Sequence, residues 1–404
     1  MARKLKAKKA KPINKKKTKQ IVKKKAKTVK RSVKLSRVRL PAKRVRKSKI
    51  KPKANSKSKP KRRLLKRTKK VIKKRATKIA LAKHRKNPII SPKTENDWES
   101  WQTFNPGVIK LDKKVHALYR SIGKDGLSRL GYASSGDGFK IDDRSEIPVY
   151  EHKVGPRVAG AWYPSGGSWG GAEDPRIVRV GDENKLYMTY TVCDGDIRVG
   201  LTSISVADFL QKKWNWKEPV TISPPGEVHK NWVIFPERIN GKYAVLHSIN
   251  PVVSVSYFDN LDFDGKTFIK SGHGGGKRGA GWDLWVRGVG PVPIKTKYGW
   301  LVLYHAMDKD WSKYKVGAML LDINDPSKIL ARAGKPILEP SEHYENHGYK
   351  GGVVYASGAV VKDGKLLVYY GGADSVVCVA HADFEKFVDA LRLHKEPKPK
   401  RGTA

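Results

Sequence analysis

The run Gly170-Gly171-Ala172-Glu173-Asp174-Pro175-Arg176-Ile177 places two carboxylates and a guanidinium immediately ahead of an apolar, strand-like stretch, Ile177-Val178-Arg179-Val180. Proline cannot donate to a β-ladder, so Pro175 is expected at the strand's first residue. Asp174 then falls just outside the sheet, where a carboxylate can face a cavity and transfer a proton. The other reading of the same residues is a structural ion pair between Asp174 and Arg176 where the strand begins. No Walker-type phosphate loop, zinc-ligand cluster or recognisable Ser/His/Asp motif accompanies them, so neither a metal nor a cofactor is expected.

The elements that must position Asp174 recur along the chain. Five strand-turn-strand units open at Phe104-Asn105-Pro106, Glu173-Asp174-Pro175, Phe235-Pro236-Glu237, Gly290-Pro291-Val292-Pro293 and Ser357-Gly358-Ala359. Their turns are expected at Asp112-Lys113-Lys114, Gly181 to Asn184, Asn240-Gly241, Tyr298-Gly299 and Asp363-Gly364, the Asn-Gly and Asp-Gly pairs being strong hairpin signals. A third strand follows most units, as at Val199-Gly200-Leu201 and Val377-Cys378-Val379-Ala380. Unit starts lie roughly 55–70 residues apart, a propeller period rather than a sandwich spacing. The fold expected is therefore all-β, a five-bladed β-propeller. Radial packing brings equivalent positions together, so Asn105, Asp174, Lys230 to Phe235, Arg120, His247, His305 and Asp374 converge on one funnel. Carboxylates, imidazoles, a guanidinium and many aromatic rings in one funnel suit a polyol: rings stack on sugar C–H faces while fixed polar groups read hydroxyls.

Composition separates a tail from this domain. Of 85 Lys and Arg, 42 fall within residues 1–90, which contain no Asp, Glu, Gly, Trp, Tyr or Phe. The other 43 accompany all 37 acids, so the formal charge of +48 belongs almost wholly to the tail. Such a segment cannot bury enough apolar surface to offset the entropy of ordering, and disorder is expected over 1–86. Leu65, Ile72 and Ile79 recur every seventh residue, which fits either a basic amphipathic helix or chance spacing of aliphatics. The tail would hold nucleic acid or another polyanion non-specifically, with strong salt dependence, but lacks aromatics to stack bases. The propeller is expected over 87–395 and a short basic tail over 396–404. No apolar run reaches signal or membrane length, and Cys193 and Cys378 read as buried thiols of a reducing compartment, so a cytoplasmic location is expected.

Residues 171–177 are similar to the signature of glycoside hydrolase family 130, the β-mannoside phosphorylases and mannosidases. The pattern extends through Asn87-Pro88-Ile89-Ile90, Thr103 to Pro106, Phe235 to Tyr243, Gly299 to His305, Gly317 to Asp322 and Tyr369 to Asp374. It covers roughly residues 87–385 in order and none of the tail. The family's fold is a five-bladed propeller, the count reached above from the repeats. By this resemblance Asp174 is the catalytic acid, protonating the glycosidic oxygen by way of a sugar hydroxyl. Asn105, Arg120 and Asp374 match positions that hold the mannosyl ring, with Glu173 and Arg176 of the motif beside them as substrate-binding candidates. His305 and Tyr314 match positions near the reacting centre. Lys230 and Asn231 match part of a phosphate cradle.

The chain departs from the family pattern where phosphate would sit. Lys230 and Ser248 stand where arginines are usual, and Val286 replaces a basic residue. Lys230, His247 and Arg287 are left to hold a phosphate dianion, for which bidentate Arg is the strongest partner. The implied activity is inverting cleavage of β-mannosides, by phosphorolysis with inorganic phosphate as co-substrate or by hydrolysis. Phosphorolysis needs no protein base, whereas inverting hydrolysis needs a second carboxylate roughly 6.5–9.5 Å from the acid. Asp283 and Glu345 are the candidates, and Glu237 a weaker one. The alternatives are a non-catalytic sugar-binding propeller and a polyanion-binding protein dominated by its tail.

Overall fold

The computed structural model describes residues 79–156, 166–272, 276–278, 281–309 and 311–394, all within the compact unit that spans Lys73–Ala404. The expectations for the tail up to residue 78, including Leu65 and Ile72, and for 396–404 lie outside the described residues. Ile79 is a core residue.

The architecture is mostly β and antiparallel. Strand β1 (Ala82–Lys83) precedes five triplets: β2–β4 (Gln102–Leu111, Lys114–Ile122, Leu127–Ser135), β5–β7 (Gly170–Arg179, Lys185–Cys193, Ile197–Ser205), β8–β10 (Val233–Ile234, Tyr243–Ile249, Val253–Phe258), β11–β13 (Trp285–Val289, Gly299–Met307, Tyr314–Leu321) and β14–β16 (Val354–Lys362, Lys365–Gly372, Val376–Asp383). The first two triplets share one sheet through a short parallel pairing of Leu127 with Gly170, and the other three form separate sheets. Helix α1 (His343–Asn346) precedes the fifth triplet, and α2 (Phe384–Leu391) comes after it. Most strand residues are buried on both faces, because apolar clusters fill the space between neighbouring sheets. Left-handed φ values at Asp112, Lys113, Asn240, Gly241, Asp363 and Gly364 are those a tight hairpin turn demands.

Hydrogen bonds link the triplets in order. Asn105 donates to Asp174 at 2.9 Å, Thr189 to the Trp232 carbonyl at 2.7 Å, and Asn231 to the Arg287 carbonyl at 3.2 Å. His305 meets the Ala356 carbonyl at 2.7 Å, and Ser357 returns to the Pro106 carbonyl at 3.2 Å. The backbones come close enough that a Cβ on Gly107 would lie 2.4 Å from the Pro175 carbonyl oxygen, so no larger residue fits there.

Two details differ from the sequence expectation. Pro175 lies inside β5, not at its first residue, and Asp174 is part of the sheet. Asp174 and Pro175 are the extra residues of a β-bulge, the ladder register shifting between Glu173 and Arg176. Asn105 and Pro106 form the matching bulge in β2. A bulge leaves its extra residues unpaired, so proline's missing donor costs nothing there. In the third and fourth triplets the first strand ends before Phe235 and Gly290, where strands had been expected to open, because Pro236, Pro291 and Pro293 interrupt the ladder.

Residues 79–86, basic in composition, pack with the domain: Ile79 and Leu81 are buried in its largest apolar cluster, and Ala82 and Lys83 pair with His381 and Ala380. Cys193 and Cys378 are buried free thiols. Among the described residues no helix is long and apolar enough to cross a membrane, and no cluster of three His, Cys, Asp or Glu could hold a metal ion.

Candidate active site

Left-handed backbone, in bulges for Asn105 and Asp174 and outside the strands for Asn231 and Asp374, sets where four polar side chains point. Asn105 (φ 44°), Asp174 (φ 48°), Asn231 (φ 67°) and Asp374 (φ 50°) all occupy the left-handed region, which Asn and Asp tolerate better than other non-glycine residues. Such backbone is sparsely populated and persists where packing over-determines it. Its effect here is to bring three of these four residues to the wall of one cavity of about 120 Å³. That cavity is lined by Phe104, Asn105, Arg120, Asp174, Lys230, Arg287, Tyr314, Lys350, Tyr355 and Asp374, with Gly166 and Val353.

Asp174 is 4% exposed. Its Oδ1 accepts from Asn105 Nδ2 at 2.9 Å and from Arg120 Nη1 at 3.3 Å. Burial alone would raise the carboxyl's pKa, but Arg120, then Arg176, the Asn105 amide and Lys230 outweigh it and hold it below the ordinary value. Arg120, 1% exposed, also donates to Ser128 Oγ at 2.9 Å, Ser168 Oγ at 3.0 Å and Glu173 Oε1 at 3.0 Å, and stacks over Phe104 at 4.6 Å. Asp374 behaves oppositely to Asp174. Burial lifts its carboxyl to about 6, against the pull of Lys350, Arg120 and Lys230 and with a push from Asp174.

Several residues marked out by the sequence stand behind the cavity wall and support it. Glu173 is fully buried and accepts from Arg120 and Ser168. Arg176 spends its donors on the carbonyls of Asp174 and Gly290, on Asn231 Oδ1 at 3.0 Å and on Tyr355 at 3.3 Å. Asn231 is occupied by Arg176, the Tyr355 hydroxyl and the Arg287 carbonyl. His305 is stacked on Tyr355 at 3.8 Å, and burial, with Arg176 nearby, lowers its pKa to about 3, so it is neutral. His247 has both ring nitrogens on serines, Ser271 at 2.8 Å and Ser256 at 3.0 Å; burial, then His229, lowers it to about 4. Ser248 bonds the Asn250 carbonyl at 3.1 Å, and Val286 is a core residue.

The expected bases are engaged in ion pairs and hydrogen bonds outside the cavity lining. Asp283 pairs with Arg278 at 2.7 Å and accepts from the Tyr304 hydroxyl at 2.9 Å. Glu345 is saturated by Lys83, two backbone N–H groups and Tyr370. Glu237 pairs with Lys295 at the surface. None of the three lines the cavity. Among the lining residues that escaped the sequence reading are two with polar side chains, Lys350 and Tyr355. Lys350 sits in a Gly-rich stretch whose composition marks only a loop, and Tyr355 lies in the fifth unit ahead of its bulge, where repeat comparison reaches the neighbourhood but not the ring's direction.

A buried acid under tight electrostatic control, facing a polar cavity at the meeting point of several sheets, is the equipment of a carbohydrate-active enzyme. The family model described as β-1,4-mannooligosaccharide phosphorylase matches residues 65–393, and the chain belongs to that family, glycoside hydrolase family 130. A 1,2-β-oligomannan phosphorylase of Thermoanaerobacter sp. (strain X514) is 37% identical over 316 residues, which are 75% of this chain and 97% of the relative. A β-1,2-mannobiose phosphorylase of the same strain is 34% identical over 324 residues, 76% of this chain and 98% of the relative. The solved β-1,2-mannobiose phosphorylase of Listeria innocua has a similar fold, with a TM-score of 0.60 and 24% identity across 78% of this chain and 99% of that one.

Proposed function

We propose that this protein cleaves β-1,2-linked mannooligosaccharides by phosphorolysis with inversion, on a five-bladed propeller whose hub is the Asp174 cavity. Support for five blades comes from the five triplets and from the hydrogen bonds that lead from the first strand group round to the fifth and back. Support for the linkage comes from relatives above 30% identity that are named for β-1,2 substrates.

The observation that carries phosphorolysis is the charge of the cavity wall. Arg120, Lys230, Arg287 and Lys350 face two carboxylates, Asp174 and Asp374. Such an excess of cations suits a phosphate dianion, and it compensates for the arginines replaced by Lys230 and Ser248. Asn105, Arg120 and Asp374 hold the mannosyl ring in this reading, while Lys230, Arg287 with its partner Tyr314 (3.0 Å), and Lys350 receive phosphate.

In the reaction the bond between the mannosyl anomeric carbon and the leaving oxygen breaks. A phosphate oxygen bonds to that carbon from the opposite face, and the leaving oxygen takes the proton of Asp174, relayed by a sugar hydroxyl. The products are α-mannose 1-phosphate and the shortened saccharide. Among these cations alone, Asp174 is ionised at neutral pH. A dianion placed beside them offsets their field and raises its pKa, so the acid acquires its proton as the nucleophile arrives.

Hydrolysis with Asp374 as base has one observation in its favour, a carboxyl at about 6, near the value a general base needs. Incubating β-1,2-mannobiose with and without inorganic phosphate separates the two. Mannose 1-phosphate is expected, and only with phosphate; free mannose released equally fast without phosphate would establish hydrolysis instead.

The domain is proposed to begin near Ile79, and the basic residues before it to bind a polyanion. Retention on DNA that weakens steeply with salt and disappears when residues 1–78 are deleted is the expected result; retention by the deleted form would refute it.

A further inference from the structure

The first described residues of the chain, basic in composition, carry an ion pair to a distant buried carboxylate. Lys83 Nζ, on β1, donates to Ser341 Oγ at 2.7 Å, to the Glu339 carbonyl at 3.0 Å and to the carboxylate of Glu345. The Lys83 side chain is 15% exposed and that of Glu345 0%. Glu345 Oε2 also accepts from the N–H groups of Ser341 at 2.7 Å and Glu342 at 2.9 Å, closing a capping box on α1, and Oε1 accepts from the Tyr370 hydroxyl at 2.8 Å. A carboxylate taken wholly out of water needs both a cation and hydrogen bonds, and Lys83 is the cation.

Glu345 also anchors the loop beyond α1. Its carbonyl accepts from the N–H groups of Gly352 at 2.9 Å and Val353 at 3.1 Å, closing the base of residues 347–353. The other side of this loop is held to the turn that carries Asp374. The Tyr349 N–H bonds Ser375 Oγ at 2.8 Å, and the Lys350 N–H bonds the Ala373 carbonyl at 2.9 Å. Lys350 is thereby held in the cavity wall with Asp374.

We propose that Lys83 is a positioning residue for the catalytic cavity: by pairing with Glu345 it fixes the 347–353 loop and so places Lys350 beside Asp374. The inference deepens the proposed cavity chemistry and rests on it. It also makes the start of the domain, at the end of the basic segment, part of the catalytic framework. Removing the ammonium leaves a buried carboxylate without its cation, which loosens the capping box and the loop base and lets Lys350 withdraw. The charged groups facing Asp374 are Lys350, Arg120, Lys230 and Asp174. Burial raises the Asp374 carboxyl most, and Lys350 is the largest influence drawing it down. Withdrawal of Lys350 therefore moves the Asp374 titration to higher pH.

The test uses the full chain as wild type, Lys83→Met, Lys350→Met and the double variant. The Asp374 carboxyl is titrated by carbon-13 NMR, assigned by its loss in Asp374→Asn, and the pH dependence of kcat/KM is recorded alongside. Lys350→Met is expected to raise the Asp374 titration by roughly half a unit or more. Lys83→Met should shift it the same way by less, and add nothing in the Lys350→Met background. Lys83→Arg, which keeps the charge, should restore the wild-type titration. If Lys83→Met lowers the melting temperature while the Asp374 titration and the pH profile stay in place, Lys83 is structural only and the proposal fails. No shift in Lys350→Met would also end it. If Lys83→Met does not fold, Glu345→Gln, which breaks the same ion pair without stranding a buried carboxylate, takes its place: a rise in the Asp374 titration is expected, and no shift refutes the proposal. Absence of mannoside cleavage by the wild type would refute the functional reading, while the NMR titration would still decide the role of Lys83.

Discussion

Asp174→Asn should reduce phosphorolysis of β-1,2-mannobiose by about 10²–10⁴-fold, the range a positioned general acid contributes. The amide keeps the shape of the side chain and can still accept from Asn105, which bonds Oδ1 at 2.9 Å, but it has no proton to give. Arg120 retains its pairing with Glu173 at 3.0 Å, so the variant should fold and bind phosphate. The discriminating measurement uses a mannoside whose leaving group departs without protonation, such as a β-mannosyl fluoride. The variant should turn it over at a rate much closer to wild type. Equal losses on both substrates would assign Asp174 to sugar binding rather than proton transfer.

Arg120→Met should be the most damaging single change to the domain. The guanidinium is buried and is the shared partner of two buried carboxylates, Glu173 at 3.0 Å and Asp174 at 3.3 Å. Removing one partner from a buried ionic cluster leaves charge without compensation and costs about 3–5 kcal/mol. Equilibrium urea unfolding of wild type and variant reads this directly. A linked effect has a defined sign. The Asp174 carboxyl is held below its ordinary value, so its contribution to stability is present above the unfolded pKa and is lost as pH falls through the folded one. In Arg120→Met the largest influence lowering that carboxyl is gone, and this acid-side loss should shrink. A variant as stable as wild type, with an unchanged acid limb, would mean that Arg120 is not the electrostatic centre of the site. Arg120→Lys should not rescue it, because a point charge cannot reach Ser128, Ser168, Glu173 and Asp174 together, as the fork of Arg120 does.

The local elements of this chain were legible in its residues. Asn240-Gly241, Asp363-Gly364 and Asp112-Lys113 turn hairpins where expected, because few residues other than Gly, Asn and Asp enter left-handed backbone cheaply. The third strands expected at Val199 and Val377 both form. Asp174, Asn105, Arg120, Lys230, Arg287, Tyr314 and Asp374, named from motif and repeat, share one cavity. The prolines were misread in a consistent way. Pro106 and Pro175 were expected at strand starts, yet they sit in mid-strand bulges, because an unpaired bulge residue needs no donor.

The division between wall and support was not legible. Arg176, Asn231, His247, His305, Asp283 and Glu345 have the residue types of a polar site, and each bonds neighbours elsewhere in the chain and stands outside the cavity lining. A side chain's chemistry is fixed by its type, but its availability depends on which donors and acceptors surround it. Lys350 shows the converse, an unremarked loop lysine drawn into the cavity wall by bonds to Ala373 and, through Gly352 and Val353, to Glu345.

By itself the sequence determined the strands, their turns, the five repeated units and the candidate acid, all of which rest on backbone propensity, local spacing and motif. Only the tertiary structure decided which charges meet. Strand side chains alternate between faces, so a single inserted residue at a bulge reverses where the next one points. The pairing of Arg120 with Glu173 and Asp174, and of Lys83 with Glu345, depends on strands and loops brought together from distant parts of the chain.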